Sequence, residues 1–186
     1  MKKLLSGLAL LALPMISFAA VPSWNIVPSQ SSLSFSATQN GAPVKGEFKT
    51  FTGDIQGTPE DLKNSHVKIM VDLGSVSTTD KDVSNTLKTA DWFDITHFPK
   101  ATFIADNFTK TGGNTYTAAG KLTIRDKTIP VTLNFVLKDY SGNTLDITGT
   151  TTLQRTAFGV GQGDWSKTDS IKDKVAVQFT LKASKA

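Results

Sequence analysis

Cysteine is absent from the 186-residue chain. That excludes disulfide staples, thiolate-bound zinc, iron–sulfur clusters and cysteine nucleophiles, and leaves stability to packing. Histidine occurs only at His66 and His97, neither beside a G-x-S-x-G elbow, so a serine-hydrolase triad finds no support. No block of about 20–50 residues recurs, which argues against solenoids and propellers, and no low-complexity tract is present. Acidic and basic residues are interspersed, so the basic stripe that nucleic-acid binding requires is missing. Long apolar runs are missing too, with one exception.

The exception lies at the start. Lys2 and Lys3 precede an apolar run from Leu4 to Leu13, followed by the helix-breaking Pro14 and small residues. This pattern reads as a secretory signal peptide over residues 1–19, cut after Ala19, where Ser17 and Ala19 supply the small side chains. The run is well short of the ~20 residues that span a bilayer. Residues 20–186 are then a single domain, and the leader takes with it half of the formal charge of +4.

What the remainder has in abundance is alternation. Ile129, Val131, Leu133, Phe135 and Leu137 share one parity, with Thr132, Asn134 and Lys138 on the other. The same period-2 pattern marks Val175 to Leu181, Val67 to Leu73, Leu33 to Ala37, Tyr116 to Ile124 and Leu145 to Leu153, and is the signature of half-buried strands. With 44–48, 51–55 and 101–108 this makes nine runs, read as about eight main strands. Turns such as Thr111-Gly112-Gly113-Asn114 are too short for crossover helices, so the sheet is antiparallel, in an up-and-down barrel or a sandwich. The inward parity switches between Phe48 and Phe51, which calls for a bulge or bend. One short helix is expected, capped by Thr79 with Asp82 three residues on, and with Val83, Leu87 and Ala90 on one face.

The inward positions mix small residues (Ala37, Gly46, Gly53, Ala101, Ala105, Ala118, Gly120, Gly149) with large apolar ones. Such a mixture suits an apolar tunnel, or a tapering core whose glycines mark bends. Arg155 continues the inward parity of Thr151 and Leu153 and reaches a barrel mouth, where it meets a ligand headgroup or else ties down a loop through a carboxylate such as Asp164. Arg125 has the outward parity of Lys121 and Thr123 and is expected to face water, as is His66. The stretch FGVGQGDW, 158–165, is not placed between a parallel strand and a helix, so it is a mouth loop rather than a phosphate cradle. In TADWFDITHFPKATF, 89–103, the residues Asp91, Asp94 and His97 offer metal-ligand or acid/base chemistry, but their spacing matches no strong motif. The bland reading makes them the wet side of a hook that Leu87, Trp92, Phe93 and Phe98 fasten over the barrel. Pro99 then turns the chain into the strand of Phe103.

Taken in order, WNIVPSQSSLSFSA, VKGEFKTFTGDI, VDLGSVSTTD, LKTADWFDITHFPKATFIA, GKLTIRDKTIPVTLNFVL and LQRTAFGVGQGDW resemble the YceI family over almost all of 20–186. The chain departs from that family's usual pattern at Ala157, where an acidic residue is common and would partner Arg155. The resemblance implies an all-β fold: an extended eight-stranded antiparallel lipocalin-like β-barrel with one short helix at the rim. It further implies a periplasmic carrier that sequesters a polyisoprenoid or an isoprenoid quinone, with no catalytic residues, no metal and no cofactor beyond that lipid. The expected tunnel lining is Phe35, Phe48, Leu87, Trp92, Phe93, Phe98, Phe103, Leu122, Phe135, Phe158, Trp165 and Phe179, with Arg155 as the headgroup candidate. Transient contact with the membrane or a cytochrome b561-type membrane protein, and a homodimer, belong to the same expectation. The competing functions are an enzyme acting on a lipid-like substrate through His97 and Asp94, and a stress-protective module with a filled barrel.

Overall fold

The computed structural model describes residues 21–186; the leader expected over 1–19 lies outside the described residues. In chain order the strands are β1 (Ser23–Ile26), β2 (Ser32–Gln39), β3 (Ala42–Phe48), β4 (Phe51–Thr58), β5 (Asp61–Asp72) and β6 (Val76–Thr78). After α1 (Lys81–Thr86) come β7 (Lys100–Gly112), β8 (Thr115–Ile124), β9 (Lys127–Tyr140), β10 (Thr144–Gln154) and β11 (Lys174–Lys185). Three strand positions are each filled by two consecutive segments, β1 with β2, β3 with β4, and β5 with β6. Counted that way, eight antiparallel strands follow one another around the wall, and β11 closes the barrel by pairing with both β1 and β2. Closure removes the open edges that a sheet would otherwise present.

The three breaks have local causes. Between β1 and β2, Pro28 starts a turn of 3-10 helix, where its missing N–H costs nothing. Ser31 Oγ, just beyond it, bonds the carbonyls of Val27 and Lys182 and accepts from Lys182 N. Between β3 and β4 the chain bends at Lys49 and Thr50, whose amides donate to the carbonyl and hydroxyl of Ser75. Ser75 sits in the matching break between β5 and β6, where Asp72 Oδ1 caps Gly74 N at 2.9 Å. The two bends face each other, so Phe48 and Phe51, on opposite parities in sequence, both turn inward. A register shift between Ala105 and Asn107 does the same in β7, carrying the inward set from Phe103 to Phe108.

The helix begins one residue later than its sequence signal. Asp80, not Thr79, is the cap, its Oδ1 accepting from Asp82 N at 2.8 Å and Val83 N at 3.4 Å. The helix ends at Thr86, so Ala90 leaves the apolar face and is exposed.

Strand direction places the turns after β4, β7 and β9, together with residues 23 and 185, at one end of the barrel. There Trp24, Ile55, Leu181 and Ala183 are buried against Tyr140 and Leu145, and Trp24 Nε1 donates to Gly57 O at 3.0 Å. At the other end stand α1, the segment 87–99, the β8–β9 turn and the segment 155–173. Their apolar cluster is Trp92, Phe158, Val160 and Ile171, packed on Leu87 and Phe93.

Candidate ligand-binding cavity

Between the two clusters lies a cavity of about 380 Å³, within the usual range for small-molecule sites. It extends from Ile55, Ile147 and Leu181 beside the closed end to Val83, Thr86, Trp165 and Ile171 at the other. Trp165 lines it and is also 38% exposed, so the cavity reaches the surface there. The strand alternation seen in the sequence is what builds the wall, since inward residues of every long strand contribute to it.

The small inward residues shape this wall in a way that periodicity does not reveal. A Cβ at Gly46 would overlap the ring of Phe35, its cross-strand partner; one at Gly149 would overlap Phe179, and one at Gly120 would overlap Phe103. Each glycine is therefore a shallow recess over which a phenyl ring lies. The rings lie against the wall instead of filling the lumen.

Eleven of the twelve expected lining residues border the cavity: Phe35, Phe48, Leu87, Trp92, Phe93, Phe103, Leu122, Phe135, Phe158, Trp165 and Phe179. They are linked by aromatic contacts. Phe48 meets Phe35 and Phe93 at 5.7 Å, and Trp92 meets Trp165 at 5.7 Å. Phe98 is the exception. It lies outside the lining, beside His97, with the Arg125 guanidinium over its ring at 5.5 Å.

Arg155 does reach the cavity wall, but its side chain is not free to hold a headgroup. It is 4% exposed and is the only charged lining residue among those described. Nε donates to Lys172 O at 3.2 Å; Nη1 donates to Val160 O at 2.9 Å and Gly161 O at 3.4 Å; Nη2 donates to Lys167 O at 3.1 Å and Ile171 O at 2.9 Å. Those five contacts match the five N–H groups of a guanidinium. Burial pushes its pKa below the usual arginine range, partly offset by the charge of Asp173. Arg155 is thus a post around which 156–173 is wound, held by carbonyls and not by Asp164. The glycines of FGVGQGDW explain the winding: Gly159 and Gly161 have φ of 69° and 83°, and a Cβ on Gly161 would strike Arg155 Nη1.

Arg125 also departs from expectation. It is not on the wet side: Nη1 donates to Ala90 O at 2.7 Å and to Trp92 O, and Nη2 stands 3.8 Å from Asp94 Oδ2. Its φ of 55° in the tight β8–β9 turn breaks the parity rule that applies along β8. Sequence reasoning missed this residue, and only the turn signal Arg125-Asp126 hinted that parity would fail there.

The polar members of the hook stand outside the cavity. His97 is 73% exposed in its side chain and contacts Asp94 at 3.0 Å. Asp91 takes part through its main chain, its carbonyl accepting from Gly161 N and Gln162 N at 2.8 Å. None of the three lines the cavity, and among the described residues no cluster of three His, Cys, Asp or Glu side chains could hold a metal ion. His66 is on the outer wall and pairs with Asp106.

A closed antiparallel barrel around an apolar lumen defines the class of protein to which the chain belongs. More narrowly, residues 24–183 match the YceI-like domain, and the chain is a member of the YceI family. A UPF0312 protein of Vibrio cholerae is 26% identical over 86% of this chain and 89% of its own. One from Pseudomonas putida is 32% identical over 67% and 68%. Among solved structures, Burkholderia cenocepacia BcnA superposes with a TM-score of 0.81 at 31% identity, covering 86% of this chain and 99% of that one. A polyisoprenoid binding domain from Saccharophagus degradans, implicated in plant cell wall breakdown, shares the fold with a TM-score of 0.69 at 11% identity, over 89% and 99%.

Proposed function

We propose that the protein is a non-enzymatic carrier that takes one long apolar chain, of the polyisoprenoid or isoprenoid-quinone kind, into the barrel lumen. The observation that carries this reading is the cavity wall: apolar along its length, with its single charged side chain already saturated by main-chain carbonyls. Such a site binds by area. A tail burying about 400 Å² gains roughly 10 kcal/mol before the costs of ordering. That the Saccharophagus neighbour is a polyisoprenoid binding domain supports the choice of chain. The leader expected over 1–19 supports a periplasmic location, from which the chain exchanges its cargo with a membrane or a cytochrome b561-type membrane protein, as a monomer or a homodimer.

Native mass spectrometry and solvent extraction of protein isolated from its own cell envelope test the reading. Recovery of a stoichiometric long-chain lipid is expected. A protein that is recovered without lipid and takes up no isoprenoid quinone afterwards would contradict it.

A further inference from the structure

Two buried side-chain donors have no partner among the described residues, Trp92 Nε1 and Arg125 Nε. The second lies on a guanidinium whose Nη1 grips the hook. The first belongs to a residue that is 7% exposed and forms part of the cavity wall. An indole N–H can only donate, and leaving it unpaired in an apolar setting is costly, which is why nearly all buried polar groups find partners. No acceptor among the described residues reaches that N–H, and the packing partners of Trp92 include the apolar Leu87, Phe93, Phe158, Val160 and Ile171. The guanidinium of Arg155, 5.7 Å over the indole, is also donor-only.

Resting on the carrier reading above, we propose that Trp92 Nε1 is the polar recognition point of the cavity, and that it selects a chain ending in an uncharged hydrogen-bond acceptor: a ketone, ether or hydroxyl oxygen. The position suits a head rather than a tail. Trp92 stands at the end remote from Trp24, against the ring of Trp165, and Trp165 is an exposed lining residue. Trp165 follows Gly163, whose φ of 57° marks a turn. The N–H itself is shielded, so in this assignment an entering oxygen reaches it by displacing a neighbouring side chain while the tail runs toward Ile55 and Leu181. A phosphate head would have to shed its hydration for one neutral N–H, because every N–H of Arg155 is taken.

Three probes with the same isoprenoid chain and different ends, a hydrocarbon, a methyl ketone and a phosphate monoester, test this by displacement of a fluorescent polyene from the mature protein. The ketone should bind about five- to tenfold more tightly than the hydrocarbon, the worth of one neutral hydrogen bond. In Trp92→Phe that ratio should collapse to near one, whatever happens to overall affinity. In Trp165→Ala, which keeps the donor, the ratio should persist. An unchanged ratio in Trp92→Phe, or a phosphate that binds more tightly than the ketone, overturns the assignment while leaving the carrier reading intact. Failure of all three probes to bind the wild-type protein overturns both.

Discussion

The two ends of the barrel are each built on a buried tryptophan, and the two tryptophans are finished differently. Trp24 has its indole N–H bonded to Gly57 O, an edge contact with Tyr140 at 5.6 Å, and β1 and β11 zipped beside it. Trp92 has an unpaired N–H, a neighbour in Trp165 that is partly in water, and surroundings of irregular chain pinned by two arginines. Regular pairing and a satisfied donor make the first end a floor. Main-chain carbonyls gathered onto side chains make the second a cap that can be remodelled without unzipping a strand, the kind of segment expected at the low-stability end of a fold.

Substitutions that exchange the character of the two ends should show this difference. Trp24→Ala removes the largest side chain of the floor and should cost about 3–5 kcal/mol, read as a shift of the urea midpoint; in the folded fraction, ligand should dissociate faster because the lumen gains a second exit. Arg155→Met removes the donor that the carbonyls of Val160, Gly161, Lys167, Ile171 and Lys172 share and should cost about 3 kcal/mol. Its mark should be confined to the cap, with early hydrogen exchange over 156–173 and protection retained in β10 and β11. A uniform loss of protection would contradict the division into floor and cap. Arg155→Lys should recover little, because one ammonium cannot reproduce the guanidinium fork.

Gly46→Ala acts midway between the ends. The added methyl displaces the Phe35 ring from its recess, at a cost of about 1–3 kcal/mol, and turns it toward the lumen. Uptake of a long chain should fall more than stability does, and Phe35→Leu in the same protein should restore uptake. Asp91→Asn is the smallest change: its carbonyl, not its exposed carboxylate, holds Gly161 and Gln162, so stability should move by less than about 0.5 kcal/mol.

What the sequence revealed, and what it concealed, follows the same division. Along β5, β9, β10 and β11 the wall was legible because one rule, alternation, determines every inward residue. Even the bend between Phe48 and Phe51 announced itself as a change of parity. In the cap no such rule operates. Arg155 was placed on the correct face, yet its partners are carbonyls 5 to 17 residues ahead, brought back by glycines at positive φ. Arg125 lost its parity in a two-residue turn, and Phe98 followed it to the far side of the hook. Main-chain acceptors carry no residue-type signature, so an arginine that will bind carbonyls reads in sequence like one awaiting a ligand.

The most direct test of the account is the orientation of a bound chain in a crystal. An isoprenoid ketone brominated at its tail should give an anomalous bromine peak beside Ile55 and Leu181 at the Trp24 floor, with the ketone oxygen within hydrogen-bond distance of Trp92 Nε1. A bromine peak at the Trp165 mouth, or a chain bound outside the barrel, would contradict it.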